Sequence, residues 1–292
     1  MICLESPEPF FAIGQWYSDF AQSSDADVVR LLGQALLARA GGPPGPPGIS
    51  PRGSNPPESA RITPRGSNPG MPAAEQGIDQ EVAVVAGPVT LPGHLTVPPG
   101  ARGVVVFAHG SGSGRTSSRN LYVAGQLHVV RLGTLLFDLL TPEEEADRSN
   151  VFDIGLLAAR LTAATGWLRG QAGLGRLGLG YLGASTGAAA ALLAASDPAS
   201  DVAAIVSRGG RPDLAGPALA GVRAPTLLIV GGLDDRVLAL NEESRAHLGA
   251  GSQLSVVPGA THLFSEPGTL EQVASLARDW FTGHLATGQR RR

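Results

Sequence analysis

From about Gln80 onward the chain alternates short apolar runs of strand length with longer stretches of helical spacing, and this alternation limits the architectures open to it. Val104 to Ala108, Thr134 to Phe137, Leu177 to Leu182, Val202 to Ser207, Thr226 to Val230 and Leu254 to Val257 have the pattern of strands buried on both faces. Between them, Asn120 to Leu132, Val151 to Arg169, Thr186 to Ala195 and Leu240 to Leu248 carry helical spacing, and Leu270 to Leu285 closes the series. Glu81 to Val85 and Val89 to Val97, around Gly87-Pro88, read as an antiparallel hairpin ahead of them. The series predicts an α/β fold, an open, mostly parallel, doubly wound sheet with an antiparallel start. Ligands of such sheets bind at the carboxyl ends of the strands, so chemistry is expected in those loops.

Ahead of this region the composition changes twice. Between Gly41 and Pro72, 17 of 32 residues are Gly or Pro, with few large apolar side chains. Such a stretch cannot bury enough surface to offset its ordering entropy, which predicts a disordered linker over residues 41–79. ISPRGSNP at Ile49–Pro56 recurs as ITPRGSNP at Ile62–Pro69, a duplication too short for a solenoid. Residues 1–40 hold Phe10, Phe11, Trp16, Tyr17 and Phe20, and an amphipathic helix is expected from Ser24 to Ala40. The main folded domain is expected in residues 80–286, followed by an Arg-rich tail at 287–292.

Composition removes several function classes. All 22 basic residues are arginine, so a Schiff-base lysine, a pyridoxal-phosphate lysine and a P-loop lysine are excluded. A formal net charge of -3 argues against a general nucleic-acid binder. The single cysteine, Cys3, excludes an internal disulfide and a cysteine zinc cage. No apolar run is long enough to span a bilayer, and MICLESPEPF lacks the pattern of a signal peptide. A soluble, cytoplasmic protein without metal or cofactor is expected, with no nucleic-acid or membrane partner.

At the strand ends three loops carry reactive residue types. Gly183-Ala184-Ser185-Thr186-Gly187 lies between a strand and the helical run AAAALLAA, the setting of a nucleophile elbow. A serine hydroxyl needs a base to take its proton, and that base needs an orienting acid. The strand TLLIVGG leads into Leu233-Asp234-Asp235-Arg236, and Pro258-Gly259-Ala260-Thr261-His262 follows the last strand. The order Ser185, Asp234, His262 is the one expected when the elbow precedes acid and base. Asp234, third in its turn, is favoured over Asp235, and only one of these neighbours is expected to reach His262. Asp138 precedes Ser185 and is expected to stabilise a turn. His109-Gly110-Ser111-Gly112-Ser113-Gly114 follows a strand directly; backbone N–H groups of this loop, with that of Thr186, are expected to face a developing oxyanion. His109 itself is expected to prop that loop. Arg208 and Arg211 are candidates either for binding a carboxylate substrate or for an ion pair.

The segments FAHGSGSG, GLGYLGASTGAAAAL, LLIVGGLDDRV and VPGATHLF together resemble the α/β-hydrolase superfamily, and within it the dienelactone-hydrolase-like members. The resemblance implies Ser185 as nucleophile, Asp234 as acid, His262 as base, and oxyanion donors at Ser111 and Thr186. Founding dienelactone hydrolases use a cysteine where this chain has Ser185, which turns the expectation toward a general esterase. CLESPEPFFAIGQWYSDFAQSSDADVVRLL is similar to the tail of bacterial phosphoribosyltransferases fused upstream of such hydrolases, without the phosphate-binding loop of that fold. Only 18 residues separate Ser207 from Thr226, so no lid domain is expected. The implied activity is cleavage of small or carrier-presented esters or thioesters through an acyl-enzyme. The alternatives are a non-catalytic interaction module on the same fold, or the hydrolase half of a phosphoribosyltransferase-linked pathway.

Overall fold

A computed structural model describes residues 77–249 and 251–285, all within one compact unit, Asn68–Arg292. The expected helix at Ser24–Ala40, the linker as far as residue 76 and the Arg-rich tail lie outside the described residues. In chain order the elements are β1 (Ile78–Ala86), β2 (Val89–Val97), β3 (Gly103–Ala108), α1 (Ser118–Val129), β4 (Leu132–Phe137), α2 (Pro142–Ala146) and α3 (Arg148–Val151). There follow α4 (Ile154–Arg169), β5 (Gly178–Ala184), α5 (Thr186–Ala195), β6 (Val202–Arg208), a 3-10 segment (Pro212–Gly221), β7 (Thr226–Gly231), α6 (Asp235–His247), β8 (Gln253–Val257) and α7 (Thr269–Leu285).

The eight strands form one sheet in the order β1-β2-β4-β3-β5-β6-β7-β8. β1 pairs with β2, and β2 with β4, antiparallel; all other pairs are parallel. This is the mostly parallel sheet with an antiparallel start anticipated from the alternation of runs, and it has the α/β-hydrolase fold that the resemblance implied. The two-residue period of β3 explains why its whole length is apolar. Val104, Val106 and Ala108 enter the core under α4 and α5, whereas Val105 and Phe107 enter the core under α1 and α7. Each fully buried Val, Leu or Phe contributes roughly 1.5–3 kcal/mol of transfer free energy. On α7, Val273, Ala274, Ala277, Trp280, Phe281 and Leu285 form the buried stripe of an amphipathic helix.

Several boundaries differ from the sequence reading. β1 begins at Ile78, three residues before the expected Glu81. The helix expected to run to Leu132 ends at Val129, because Arg131 takes a left-handed φ of 59° and Leu132 already starts β4. The helix expected from Val151 begins at Ile154, where the Asp153 side chain accepts from the Leu156 N–H at 2.9 Å. The helix expected from Leu240 begins at Asp235, capped by Asp234. The short α2, α3 and 3-10 segments were not anticipated.

α2 and α3 nonetheless have a defined anchorage. Thr141 and Glu144 form a reciprocal capping box, with Pro142 opening the helix. Glu144 also accepts from Arg160 Nη2 at 2.6 Å, and the buried Arg160 donates through Nη1 to the Ala86 carbonyl. One guanidinium thus ties α2, α4 and the end of β1 together. We expect Arg160→Met to lower stability by about 1–3 kcal/mol, because it strands a buried carbonyl acceptor. Urea unfolding of the variant beside wild type measures this, and an unchanged midpoint would mean that water satisfies Ala86.

Candidate active site

Ser185 joins β5 directly to α5 with φ 49° and ψ −122°, a strained combination for a residue with a side chain. Its neighbours explain how the sequence reaches it. A Cβ at Gly183 would sit 2.4 Å from the Ala188 Cα, and one at Gly187 would sit 2.1 Å from the Ala108 carbonyl oxygen. Both positions are closed to any residue but glycine. The Ser185 carbonyl accepts from the Ala188 and Arg211 N–H groups, each at 3.1 Å, which fixes the turn on two sides.

His262 lies between β8 and α7. Two backbone bonds bring its loop beside the turn after β7: Gly232 N–H donates to Val257 at 2.8 Å, and Leu233 N–H to Ala260 at 2.9 Å. Phe264, buried at a left-handed φ of 54°, anchors the loop beyond the histidine. Thr261 donates through its hydroxyl and its N–H to Glu266, and these bonds hold the Glu266 carboxyl below the usual carboxylate range.

The Asp234 carboxylate meets this loop directly. Its Oδ2 lies 2.7 Å from His262 Nδ1, while its Oδ1 accepts from the Val237 N–H as the cap of α6. Asp235 occupies the first turn of α6 and is exposed. Of the two candidate acids, it is therefore Asp234 that contacts the histidine.

The loop after β3 packs against the elbow so closely that a Cβ at Gly110 would lie 2.8 Å from that of Ser185. Ser111 and Thr186 both border a cavity beside this loop. Thr186 is the first residue of α5, where backbone N–H groups have no partner within the helix and the dipole favours negative charge. His109 is buried. Its Nε2 accepts from the Leu139 N–H at 3.0 Å, leaving Nδ1–H to donate to the Gly110 carbonyl at 3.1 Å. Burial pushes its pKa down, so it stays a neutral strut between two strand-end loops. Asp138 accepts from the Arg115 N–H at 2.8 Å and pairs with its guanidinium at 3.3 Å, a turn-holding arrangement.

The two candidate arginines are engaged elsewhere. Arg208 is buried, donates through Nη2 to Asn120 Oδ1 at 3.1 Å, and has its pKa lowered by burial to about 10. Arg211 forms a two-bond pair with Asp213, at 2.8 and 2.7 Å, which raises its pKa further. Neither borders the cavity at Ser111 and Thr186. Sequence reasoning missed Arg115, Glu144 and Arg160 as supports of this cavity; the TPEE capping box was the one signal available for Glu144.

A dienelactone hydrolase from Anabaena variabilis has a crystal structure 53% identical in sequence; the match covers 72% of this chain and 99% of that one, with a TM-score of 0.70. The chain belongs to the dienelactone hydrolase family. Carboxyl esterase 2 from the fungus Tuber melanosporum, 17% identical over 72% of this chain and 88% of its own, shares the fold of this chain with a TM-score of 0.59. Two Mycobacterium tuberculosis proteins, provisionally named phosphoribosyl transferases, are 55% identical over 288 residues, 98% of this chain. The chain spans 59% of the length of these curated relatives. No protein-family model matches it. Among the described residues, no helix of this family member is long and apolar enough to cross a membrane.

Proposed function

We propose that the chain is a serine hydrolase that cleaves carboxylic ester-type bonds of small or carrier-presented substrates through an acyl-enzyme on Ser185. The observation that carries the reading is the 2.7 Å contact of His262 Nδ1 with Asp234, in a chain whose Ser185 sits on a strained strand-to-helix elbow. Asp234 accepts from Nδ1–H, which leaves Nε2 as the free base. The Ser185 hydroxyl attacks the ester carbonyl as its proton passes to Nε2. The carbonyl oxygen becomes an oxyanion and accepts from the N–H groups of Ser111 and Thr186. Collapse breaks the carbon–oxygen bond, His262 returns the proton to the leaving alcohol, and the acyl group stays on Ser185. Water, deprotonated by His262, then attacks the acyl-enzyme, releasing the acid and regenerating the serine.

A serine in place of the family's cysteine fits this use of a base. A thiol can reach useful thiolate levels unaided, whereas a hydroxyl depends on His262 and hence on Asp234. The phosphoribosyl transfer named for the mycobacterial relatives is not a reading of the described residues, which form the hydrolase fold alone. A link to such a transferase is a second reading, favoured by the 55% identity to longer relatives of that name.

An uncharged fluorophosphonate probe tests the proposal without knowledge of the substrate. We expect one adduct per folded chain, with the modified peptide carrying Ser185. A folded protein that takes up no probe, or takes it at another residue, refutes the reading.

A further inference from the structure

The cavity beside the oxyanion loop measures about 160 Å³ and is enclosed by elements whose positions are fixed by hydrogen bonds. Pro92, Leu139, Leu140, Val151 and Leu157 supply its apolar wall, while Ser111 and Thr186 border it at the reacting end. Gly110, in contact with Ser185, also borders it. α2 and α3 close one side, held by the Glu144–Arg160 pair and by Asn150 Nδ2, which donates to the Glu144 carbonyl at 2.8 Å. The space is therefore preformed.

We propose that this cavity is the acyl subsite, and that it selects short, uncharged acyl groups of up to about six carbons over acyl groups bearing a carboxylate. The inference rests on the serine-hydrolase reading and adds the substrate class to it.

The direction of binding follows from His262. The leaving alcohol must lie within reach of the histidine that returns its proton, and no residue of the His262 loop borders the cavity. The other half of the ester, the acyl chain, is the part that enters. Volume sets the length, since an apolar cavity of about 150 Å³ accommodates benzene. Charge sets the chemistry. The carboxylates bordering the cavity are Asp138 and Glu145, no arginine borders it, and the chain has no lysine. Asp138 is partly neutralised by Arg115, but Glu145 stands in the acidic first turn of α2. His109 adds no charge, since both of its ring nitrogens are occupied in the neutral form. An anionic acyl group would enter an apolar space facing carboxylates, without a cation to receive it. Arg208 and Arg211, which follow the elbow in sequence, lie outside the cavity lining; Arg208 donates to Asn120 and Arg211 is paired with Asp213.

A series of p-nitrophenyl esters decides the matter on the whole chain. We expect kcat/KM to peak between butyryl and hexanoyl and to fall at least tenfold for decanoyl. The hemisuccinyl ester, a four-carbon acyl group like butyryl but with a carboxylate as its terminal carbon, should be at least tenfold poorer than butyryl. Val151→Phe, which fills the cavity, should lower hexanoyl turnover at least tenfold relative to acetyl turnover by the same variant. Glu145→Gln, on the exposed helix, should raise hemisuccinyl relative to butyryl severalfold and tests charge without touching the core. Acylation of Ser185 followed by intact mass gives the same ranking where deacylation is slow. If esters react at Ser185 with no dependence on chain length, or hemisuccinyl matches butyryl, the subsite assignment falls and the serine-hydrolase reading stands. If no ester acylates the protein and the fluorophosphonate leaves no adduct, both fall together.

Discussion

Ser185→Ala should lower ester turnover by at least about 10⁴-fold while the protein stays folded. The reason lies in how little the hydroxyl does for the fold and how much for the chemistry. Ser185 makes no capping bond at the start of α5, and its turn is held by backbone contacts from Ala188 and Arg211 that alanine keeps. Alanine retains a Cβ at φ 49°, so the strain is unchanged and the unfolding midpoint should stay within experimental error of wild type. Without the hydroxyl, His262 and the oxyanion donors remain, but no acyl-enzyme forms. Residual hydrolysis should match the modest rate those groups give to a directly attacking water. Retention of more than a few per cent of wild-type turnover would move the nucleophile elsewhere. Glycine at this position is a useful companion. It removes the Cβ from a left-handed turn and should unfold later than alanine while being equally inactive.

The sheet was legible in the sequence because β3, β4 and β7 are buried on both faces, leaving unbroken apolar runs bounded by glycine and polar residues. The elbow was legible for a stricter reason. Gly183 and Gly187 are sterically enforced by Ala188 and Ala108, so the G-x-S-x-G spacing records real contacts and not mere glycine richness. The walls of the acyl cavity were not legible. α2 and α3 span five and four residues, too few for any hydrophobic period, and their stability comes from Arg160, distant in sequence. The start of α6 was missed because its first turn, Asp235-Arg236, is polar and exposed, so the periodic signal begins later. That error is tied to the uncertainty over the acid. A helix recognised as starting at Asp235 makes Asp234 its cap, and a capping residue is turned away from its neighbour on the helix surface. The choice between two adjacent carboxylates was thus a capping question.

That geometry gives the sharpest test of the acid. Asp234→Asn should lower kcat by about 10²–10⁴, and Asp235→Asn should change it less than about tenfold. Asp234 receives the Nδ1–H of His262 and so keeps Nε2 free to act as base; it also offsets the positive charge on the ring as Ser185 gives up its proton. An amide at this position can instead donate to Nδ1, which favours the tautomer with its proton on Nε2, the wrong nitrogen. In a serine protease the same exchange costs about 10⁴ in turnover. Folding provides little to confound the comparison. Asparagine caps a helix about as well as aspartate, so the bond to the Val237 N–H survives. Asp235 stands in the first turn of α6, where losing its charge costs about 0.3–1 kcal/mol through the helix dipole and leaves His262 untouched. Both variants should be assayed on one butyryl ester, with unfolding curves to show that each is intact. If Asp235→Asn is the more damaging, the acid works through a conformation in which the turn after β7 has rotated by one residue. If neither exchange matters, His262 does not depend on a carboxylate at all, because Asp138, the other strand-end acid, is held by Arg115 beside the oxyanion loop.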